Sequence, residues 1–245
     1  MALPRVADLR ALLLDLDDTI LDDRSGLLPA WNVTVEFTCG ECGGLSPEDL
    51  RAAISSVTNW FWSDPARERR GRLDLVEARC EIIGAALARL GIGDADLARR
   101  AAHVYTRRRD AGQRLVPGVG EALARLRGAF AHFALVTNGA SLPQRAKLER
   151  FDLVDWFDHI QVEGEFGAGK PEPEVYRSVT RVLGVDPDVS LMVGDNFVCD
   201  VLGALDAGLH AAWIDVDGCG ESPRPAPRSF ATLSSLAELA DRLGC

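Results

Sequence analysis

Short apolar runs alternate with longer segments of helical periodicity along most of the chain. A short apolar run flanked by turn-forming or charged residues is typical of a buried strand. Such runs predict strands at residues 11–14, 133–137, 160–162, 191–193 and 211–214. Apolar spacing of helical period predicts helices at residues 118–127, 142–150, 174–183 and 198–207. This alternation predicts a parallel sheet with helices on both faces.

Residues 24–115 break the alternation, because they show no clear strand pattern. Apolar residues there recur instead at helical spacing, over residues 50–62, 73–90 and 96–109. A helical insert placed after the first strand is the simplest interpretation. We therefore predict an α/β core domain of residues 1–22 and 116–245, with a helical domain of residues 23–115 inserted into it.

Composition narrows the classes of function. The chain has 245 residues and a formal net charge of −10, and such a surface repels the phosphate backbone of nucleic acids. No segment approaches the roughly 18 apolar residues of a membrane span. The start of the chain lacks the pattern of a signal peptide. We therefore predict a cytoplasmic protein, a monomer or a homodimer, that binds neither nucleic acid nor membrane.

Two of the six cysteines, Cys39 and Cys42, have the spacing of a metal-binding pair. A structural zinc site needs four ligands, but the sequence has no second such pair, and all four histidines lie beyond residue 100. The spacing therefore favours an ordinary loop. Cysteines of a cytoplasmic protein are expected to be thiols, and the sequence leaves any further role of Cys39 and Cys42 open.

Candidate chemistry gathers just after the predicted strands. The polar residues at these points are Asp15 and Asp17 after the first strand, Thr137 and Asn138 at the second, Lys170 after the third, and Asp195 and Asp200 after the fourth. Ligands of an open parallel sheet bind beyond the carboxyl ends of its strands. The topology therefore brings these residues, which lie far apart in sequence, to one crevice.

The charges of this crevice indicate a metal ion and a phosphate group. At least three carboxylates share the crevice with one lysine, and they would repel one another and raise each other's pKa. A divalent cation resolves this repulsion, and oxygen ligands suit Mg²⁺. A phosphate can then lie against the metal, Lys170 and the donors of Thr137 and Asn138. The crevice is therefore predicted to be a phosphoryl-transfer site.

Asp15 and Asp17 are spaced to divide the chemistry between them. Asp15, at the strand end, can attack phosphorus and form an aspartyl-phosphate. Asp17 can protonate the leaving group and later deprotonate the attacking water. The sequence contains no G-x-S-x-G elbow, and none of its histidines falls in a motif, so no other catalytic motif competes.

The four clusters resemble the haloacid dehalogenase-type hydrolase superfamily. The four motifs of that family can be read in order as Asp15-Leu16-Asp17-Asp18-Thr19, Val136-Thr137-Asn138, Lys170-Pro171, and Gly194-Asp195-Asn196 followed by Asp200. The resemblance implies a Rossmann-like parallel sheet with the strand order 3-2-1-4-5. It also implies that the helical insert is a C1-type cap.

The resemblance implies a role for each motif residue. Asp15 would be the nucleophile and Asp17 the general acid and base. Asp15, the main-chain carbonyl of Asp17, and Asp195 would hold Mg²⁺. The remaining implied roles are contacts of Thr137 and Lys170 with the substrate phosphate, and orientation of Lys170 or a water on the metal by Asp200.

Lys170 also ends a stretch that nearly matches a nucleotide-binding P-loop. Gly164, Gly169 and Lys170 fit the signature, but Pro171 stands where the P-loop requires a Ser or Thr hydroxyl for magnesium. Proline also disfavours helical geometry at the residue before it, so the loop cannot continue directly into a helix. We therefore interpret Lys170 as a point charge for a phosphate in the aspartate crevice.

The leading hypothesis is a magnesium-dependent phosphatase acting on a small phosphorylated metabolite. One alternative is a sugar phosphomutase of the same fold, which would return the phosphoryl group to its sugar. A dehalogenase is disfavoured because Asp17 is present, and a catalytically inactive binding module because every motif position is filled. The sequence leaves the identity of the substrate open.

The helical insert carries two groups of residues with competing interpretations. Trp60 and Trp62 are expected to belong to its core, although aromatic rings could also stack on a substrate. The run Arg107–Arg109 is expected to lie on a solvated helix face, with a grip on a substrate carboxylate or second phosphate as the alternative. The sequence does not indicate which residues of the insert face the active site.

Overall fold

The structure, a computed structural model, describes residues 4–218 and 222–245. The chain divides into two compact units. The α/β unit comprises Met1–Asp22 and Arg114–Cys245, and the helical unit comprises Asp23–Gln113. Within the described residues, no helix combines the length and the apolar character that crossing a membrane would require.

The described residues form eight strands and eleven α-helices. The strands are β1 (Ala11–Leu14), β2 (Leu21–Asp22), β3 (Arg114–Leu115), β4 (His132–Thr137), β5 (His159–Val162), β6 (Ser190–Gly194), β7 (His210–Ile214) and β8 (Ala231–Leu233). The helices are α1 (Leu27–Glu41), α2 (Pro47–Trp62), α3 (Pro65–Leu73), α4 (Leu75–Arg89), α5 (Ala95–Gly112), α6 (Val119–Ala129), α7 (Ser141–Arg150), α8 (Glu163–Phe166), α9 (Pro173–Leu183), α10 (Gly203–Ala207) and α11 (Leu236–Leu243). A π-helical segment, Phe197–Leu202, leads directly into α10.

Six of the strands form one sheet in the order β5-β4-β1-β6-β7-β8, and every neighbouring pair is parallel. The five predicted strands therefore pair in the predicted order, 3-2-1-4-5, and the prediction of a Rossmann-like α/β fold is confirmed. β8 extends the sheet beyond β7. β8 was not predicted from the sequence, because it follows a proline-rich stretch, residues 223–227, that indicates a loop.

Helices cover both faces of this sheet, which explains why its central strand is apolar at every position. All four residues of β1 are fully buried. Successive strand residues point to opposite faces, so Leu12 and Leu14 pack in one hydrophobic cluster with α6 and α11. Ala11 and Leu13 pack in a second cluster with α9 and α10.

A short antiparallel ribbon joins the two segments of the α/β unit that flank the helical unit in the sequence. β2 pairs with β3, and Leu21 lies opposite Leu115. The Arg114 guanidinium donates hydrogen bonds to Asp22 Oδ2 at 2.8 and 3.0 Å. Each strand of the ribbon has two residues, and neither was apparent from periodicity.

The helical unit, α1–α5, has a hydrophobic core of its own, to which Ile54 of α2 and Leu87 of α4 contribute. Four of its helices begin at a residue whose side chain accepts a hydrogen bond from a backbone N–H of the first turn. These capping residues are Ser46, Asp64, Asp74 and Asp94. The helices predicted at residues 50–62, 73–90 and 96–109 correspond to α2, α4 and α5.

The predicted loop at Cys39 and Cys42 is wrong in part. Cys39 lies in the last turn of α1, and Cys42 caps the end of that helix. α1 was not predicted from the sequence, because Pro29 and several β-branched residues give it weak helical propensity. Both cysteines are half-buried thiols.

The tryptophans and arginines of the helical unit divide between core and surface. Trp62 packs edge-on against the buried Phe61, as expected of core residues, whereas Trp60 is 46% exposed with the Arg67 guanidinium 3.9 Å from its ring centre. Arg107 and Arg108 are exposed. The expectation of a solvated face is wrong for Arg109, which is 7% exposed and donates hydrogen bonds to the carboxylate and carbonyl of Asp23.

Candidate active site

The strand order places the predicted site residues of the α/β unit at one edge of the sheet. Asp15 directly follows β1, Thr137 ends β4, and Asp195 directly follows β6. β1 lies between β4 and β6, and all three strands run parallel. From β1 the chain continues to β4 and β5 on one side of β1, and it then crosses to β6 and β7 on the other side. This edge is therefore the topological switch point at which open α/β sheets bind ligands.

Lys170 links two buried carboxylates at this edge. Its Nζ donates hydrogen bonds to Asp15 Oδ1 at 2.7 Å and to Asp200 Oδ1 at 2.6 Å. The three residues are 2%, 8% and 0% exposed, in the order Lys170, Asp15 and Asp200. Residues separated by up to 185 positions in sequence thus form one ion-paired group that is almost completely shielded from solvent.

Asn138 fixes the backbone that carries Lys170. The Asn138 amide Nδ2 donates to the Lys170 carbonyl at 2.8 Å, and the Lys170 N–H donates to Asn138 Oδ1 at 2.7 Å. Both ends of the amide are therefore committed to the Lys170 backbone. Sequence reasoning placed Asn138 on the substrate phosphate. In the structure, the Asn138 side chain bonds the Lys170 backbone instead.

Asp15, Asp195 and Asp200 form a compact acidic group. One carboxylate oxygen from each lies within 4.8 Å of the others, an arrangement that could hold a metal ion. Asp200 approaches the sheet closely, because a Cβ built on Gly194 would lie 2.2 Å from Asp200 Oδ2. The glycine of the fourth motif is therefore required for Asp200 to pack against the end of β6.

The electrostatics of the group fit a metal cation. Burial, together with the charges of Asp200 and Asp17, raises the pKa of Asp15 to about 7, although Lys170 opposes this. Burial by itself would lower the pKa of Lys170, but Asp15 and Asp200 outweigh it and raise that pKa above its ordinary value. Lys170 thus stays charged, and its single charge does not balance the surrounding carboxylates. Hard oxygen donors with excess negative charge suit Mg²⁺.

The carboxylate of Asp17 is held by a different set of residues. Lys147 Nζ donates to Asp17 Oδ1 at 2.7 Å and to Oδ2 at 2.8 Å. The amide of Gln144 donates to Asp17 Oδ2 at 3.1 Å. The Asp17 carboxylate thus lies with Lys147 and Gln144 of α7. The third carboxylate of the acidic group is that of Asp200, not that of Asp17.

Gln144 also connects Asp17 to the second motif. Its Nε2 lies 2.5 Å from Thr137 Oγ1 and 3.1 Å from the Asn138 carbonyl, and it is the donor in both contacts. Thr137 and Gln144 are 2% and 3% exposed. One buried amide therefore holds the hydroxyl predicted to contact phosphate and the carboxylate predicted to act as acid and base.

Sequence reasoning missed Lys147 and Gln144, although the composition contained a signal. Of the 27 basic residues in the chain, 25 are arginines, and the two lysines are Lys147 and Lys170. A chain that uses arginine almost everywhere retains lysine at the two positions that bond the paired aspartates of the first motif. Such selective use of a rare residue marks positions at which the two cations are not interchangeable.

The chain is similar to known proteins in sequence and in fold. A sequence model of the haloacid dehalogenase-like hydrolases matches residues 9–208. The chain is similar to the phosphoserine phosphatase of Thermus thermophilus, at 36% identity over 166 residues. These residues are 68% of this chain and 61% of that protein, so the chain spans less than two thirds of the length of this relative.

Two further similarities extend over nearly the whole chain. The N-acylneuraminate-9-phosphatase of Rattus norvegicus is 29% identical over 257 aligned positions, which cover 98% of this chain and 94% of that protein. The solved structure of the HAD-hydrolase YfnB from Bacillus subtilis, bound to magnesium, superimposes with a TM-score of 0.74 at 25% identity. That superposition covers 99% of this chain and 100% of YfnB.

Proposed function

The chain belongs to the haloacid dehalogenase-like hydrolase family, and from this premise we propose that it is a magnesium-dependent phosphatase. Its substrate is a small phosphate monoester, and its reaction passes through an aspartyl-phosphate on Asp15. One observation carries the proposal: Asp15 and Asp17 are both present, and each is bonded to a different lysine. The relatives named as phosphatases support the same chemistry.

In the first half of the proposed reaction, an oxygen of the Asp15 carboxylate attacks phosphorus. A new O–P bond forms, the ester P–O bond breaks, and the leaving oxygen takes a proton from Asp17. Lys170 keeps Asp15 in place and offsets negative charge at the phosphoryl group. The Thr137 hydroxyl, at the end of β4, would contact the same group.

In the second half, water replaces the alcohol as the reacting partner. Asp17 removes a proton from the water as its oxygen attacks phosphorus, and the bond between phosphorus and Asp15 breaks. Inorganic phosphate leaves and the Asp15 carboxylate is restored. Asp17 must therefore lie close to, but not within, the group that holds the phosphoryl oxygens, which agrees with its bonding to Lys147 rather than Lys170.

The proposed magnesium ligands are Asp15, the Asp17 carbonyl and Asp195. Mg²⁺ bound there would offset the negative charge of the carboxylates and of the phosphoryl group. Asp200, whose second oxygen accepts the Asn196 N–H at 2.9 Å, bonds Lys170 and keeps its ammonium beside Asp15. We assign Asp200 the role of orienting Lys170.

The proposal is tested by phosphate release. The purified protein is incubated with magnesium and p-nitrophenyl phosphate, and in parallel with a panel of phosphorylated metabolites, and inorganic phosphate is measured. We expect release from p-nitrophenyl phosphate and faster release from at least one metabolite. Stoichiometric release also distinguishes a phosphatase from a phosphomutase, which retains the phosphoryl group. No release from any ester would contradict the proposal.

Removal of the metal is expected to abolish this activity reversibly. Chelation with EDTA should reduce phosphate release to background, and excess Mg²⁺ should restore it, because uncompensated carboxylates would repel the phosphoryl group. Ca²⁺ should substitute poorly, since it accepts a higher coordination number and longer bonds. Thermal denaturation gives an independent measurement: Mg²⁺ should raise the Tm of the wild type but not that of Asp195→Asn. Full activity after rigorous chelation would rule out the metal.

We also propose that the helical unit is the family's C1-type cap and sets substrate choice. Trp60→Ala and Arg107→Ala, which alter exposed side chains, are expected to lower kcat/KM for the best metabolite more than for p-nitrophenyl phosphate. An aryl phosphate offers few groups beyond its phosphate, so it loses little when contacts to the rest of the substrate are removed. Equal changes for both substrates across a scan of exposed residues in α1–α5 would place specificity in the α/β unit.

A further inference from the structure

Lys147, one of the two lysines of the chain, lies where it can fix the orientation of the Asp17 carboxylate. The Lys147 side chain is 12% exposed, and its ammonium bridges both oxygens of the Asp17 carboxylate. Arg145, two residues earlier on the same helix, instead pairs with Glu165 at 2.7 Å and is 36% exposed. α7 thus carries a partly exposed arginine that pairs with Glu165 and, two residues later, a largely buried lysine that bonds a carboxylate of the first motif.

Gln144 makes the contact of Lys147 part of a larger network. The amide donates to Asp17, to the Thr137 hydroxyl and to the Asn138 carbonyl. Asn138 in turn holds the backbone of Lys170. A continuous chain of hydrogen bonds therefore runs from Lys147 through Asp17, Gln144 and the second motif to Lys170.

We propose that Lys147 and Gln144 are positioning residues that hold the Asp17 carboxylate apart from the acidic group and aligned with Thr137. The inference rests on the proposed function, because it concerns the proton that Asp17 gives to the leaving oxygen. It assigns to α7 a role that none of the four sequence motifs includes.

The need for such a hold follows from the spacing of the first motif. Asp17 lies two residues from Asp15, so its carboxylate belongs to the same crowded crevice, and a bound cation there would attract it. A carboxylate that turned towards the cation could not reach the leaving oxygen, because a general acid acts only within hydrogen-bonding distance. Lys147 provides a competing positive charge, bonded to both oxygens of Asp17, and keeps the orientation of that carboxylate fixed.

The scarcity of lysine supports the same conclusion independently. The chain uses arginine for 25 of its 27 basic residues, so the choice of lysine at position 147 departs from its general preference. A lysine ammonium is a compact charge with three donors, whereas a guanidinium is a wide planar fork. Lys147 places one small charge between both Asp17 oxygens, with most of its own side chain shielded from solvent.

The test compares two esters that differ in their need for an acid. p-Nitrophenolate leaves without protonation, whereas the alkoxide of an alkyl phosphate requires a proton. In Lys147→Met, kcat/KM for an alkyl phosphate from the metabolite panel is expected to fall by about 30-fold or more, within the roughly 10²- to 10⁴-fold contribution of general acid catalysis. kcat/KM for p-nitrophenyl phosphate should fall by no more than about threefold. This constant reports only the steps up to the first irreversible phosphoryl transfer, so it does not include the later hydrolysis in which Asp17 acts as a base.

Matched variants separate positioning from general damage to the fold. Arg145→Met removes a cation from the same helix without touching Asp17, and both substrates should react as with the wild type. Gln144→Leu removes the second contact and should show the same split as Lys147→Met, to a smaller extent. If Lys147→Met does not fold, the split is measured on Gln144→Leu.

The outcomes distinguish this inference from the proposed function. An active wild type whose Lys147 and Gln144 variants lose equal activity on both esters, or none, would overturn the positioning role and leave the phosphatase proposal standing. A rise in activity of Lys147→Met would also overturn it, by showing that the ion pair with Lys147 hinders Asp17 as a general acid instead of positioning it. A wild type that releases phosphate from neither ester would contradict the proposed function, and this inference with it.

Discussion

Asp15→Asn is expected to reduce phosphate release to background, a loss of roughly 10⁴-fold or more, while the fold stays intact. An amide oxygen is a far weaker nucleophile than a carboxylate, and removal of a nucleophile from a concerted catalytic group costs up to about 10⁶-fold in kcat. Hydrolysis of phosphate monoesters is so slow without a catalyst that no neighbouring group could compensate. The measurement is steady-state release of inorganic phosphate at saturating substrate.

The stability of this variant is expected to equal or exceed that of the wild type. Asparagine has the shape of aspartate, and burial raises the pKa of Asp15 to about 7, so its ionised form opposes folding near neutral pH. Thermal denaturation should therefore show an unchanged or higher Tm. Asp206→Asn, which makes the same chemical change at an exposed position of α10, serves as the control and should remain fully active.

A phosphoenzyme gives the prediction a direct chemical readout. Wild-type protein quenched in acid during turnover should carry at most one phosphoryl group per chain, bound as an acyl phosphate that hydroxylamine cleaves. Asp15→Asn should carry none. Normal turnover by Asp15→Asn, or a phosphoryl group on another residue, would refute the assignment of the nucleophile.

Lys170→Met is expected to lose activity and stability together. The substitution leaves the buried carboxylates of Asp15 and Asp200 without their ammonium. Removal of one partner from a buried ion pair costs roughly 3–5 kcal/mol of the free energy of unfolding. For a chain of this size, that corresponds to a fall in Tm of roughly 6–20 °C. kcat should fall by about 10³-fold or more on every substrate, as for other removals of electrostatic stabilisation.

A double variant separates the two effects. In Lys170→Met combined with Asp200→Asn, one uncompensated buried charge is removed with the lysine, so Tm should recover most of the loss. Activity should not recover, because the cation beside Asp15 is still absent. If activity returned with stability, the effect of Lys170→Met would be on folding alone, and Lys170 would have no part in the reaction.

The four motifs could be read from the sequence because each is a short segment in which local order and chemistry coincide. Asp15 and Asp195 directly follow buried apolar strands, and the parallel topology leaves one edge at which such residues can meet. The alternation of strands and helices predicted the fold class, and the order of five strands followed from the resemblance of the motifs to a known family. The short elements β2 and β3 were missed because two residues carry too little periodicity, and β8 was missed because it follows a proline-rich stretch.

The sequence by itself determined the α/β class, the helical insert after the first strand, and the residues of the motif positions, since these depend on local pattern and chain order. Only the tertiary structure decided which side chains those residues bond. It joined Lys147 to Asp17 across 130 positions, turned the Asn138 amide to the Lys170 backbone, and buried Arg109 against Asp23. Such pairings depend on the packing of whole helices and strands and on the free-energy cost of leaving a buried charge without a partner. Neither can be predicted from the residue spacing within a single segment.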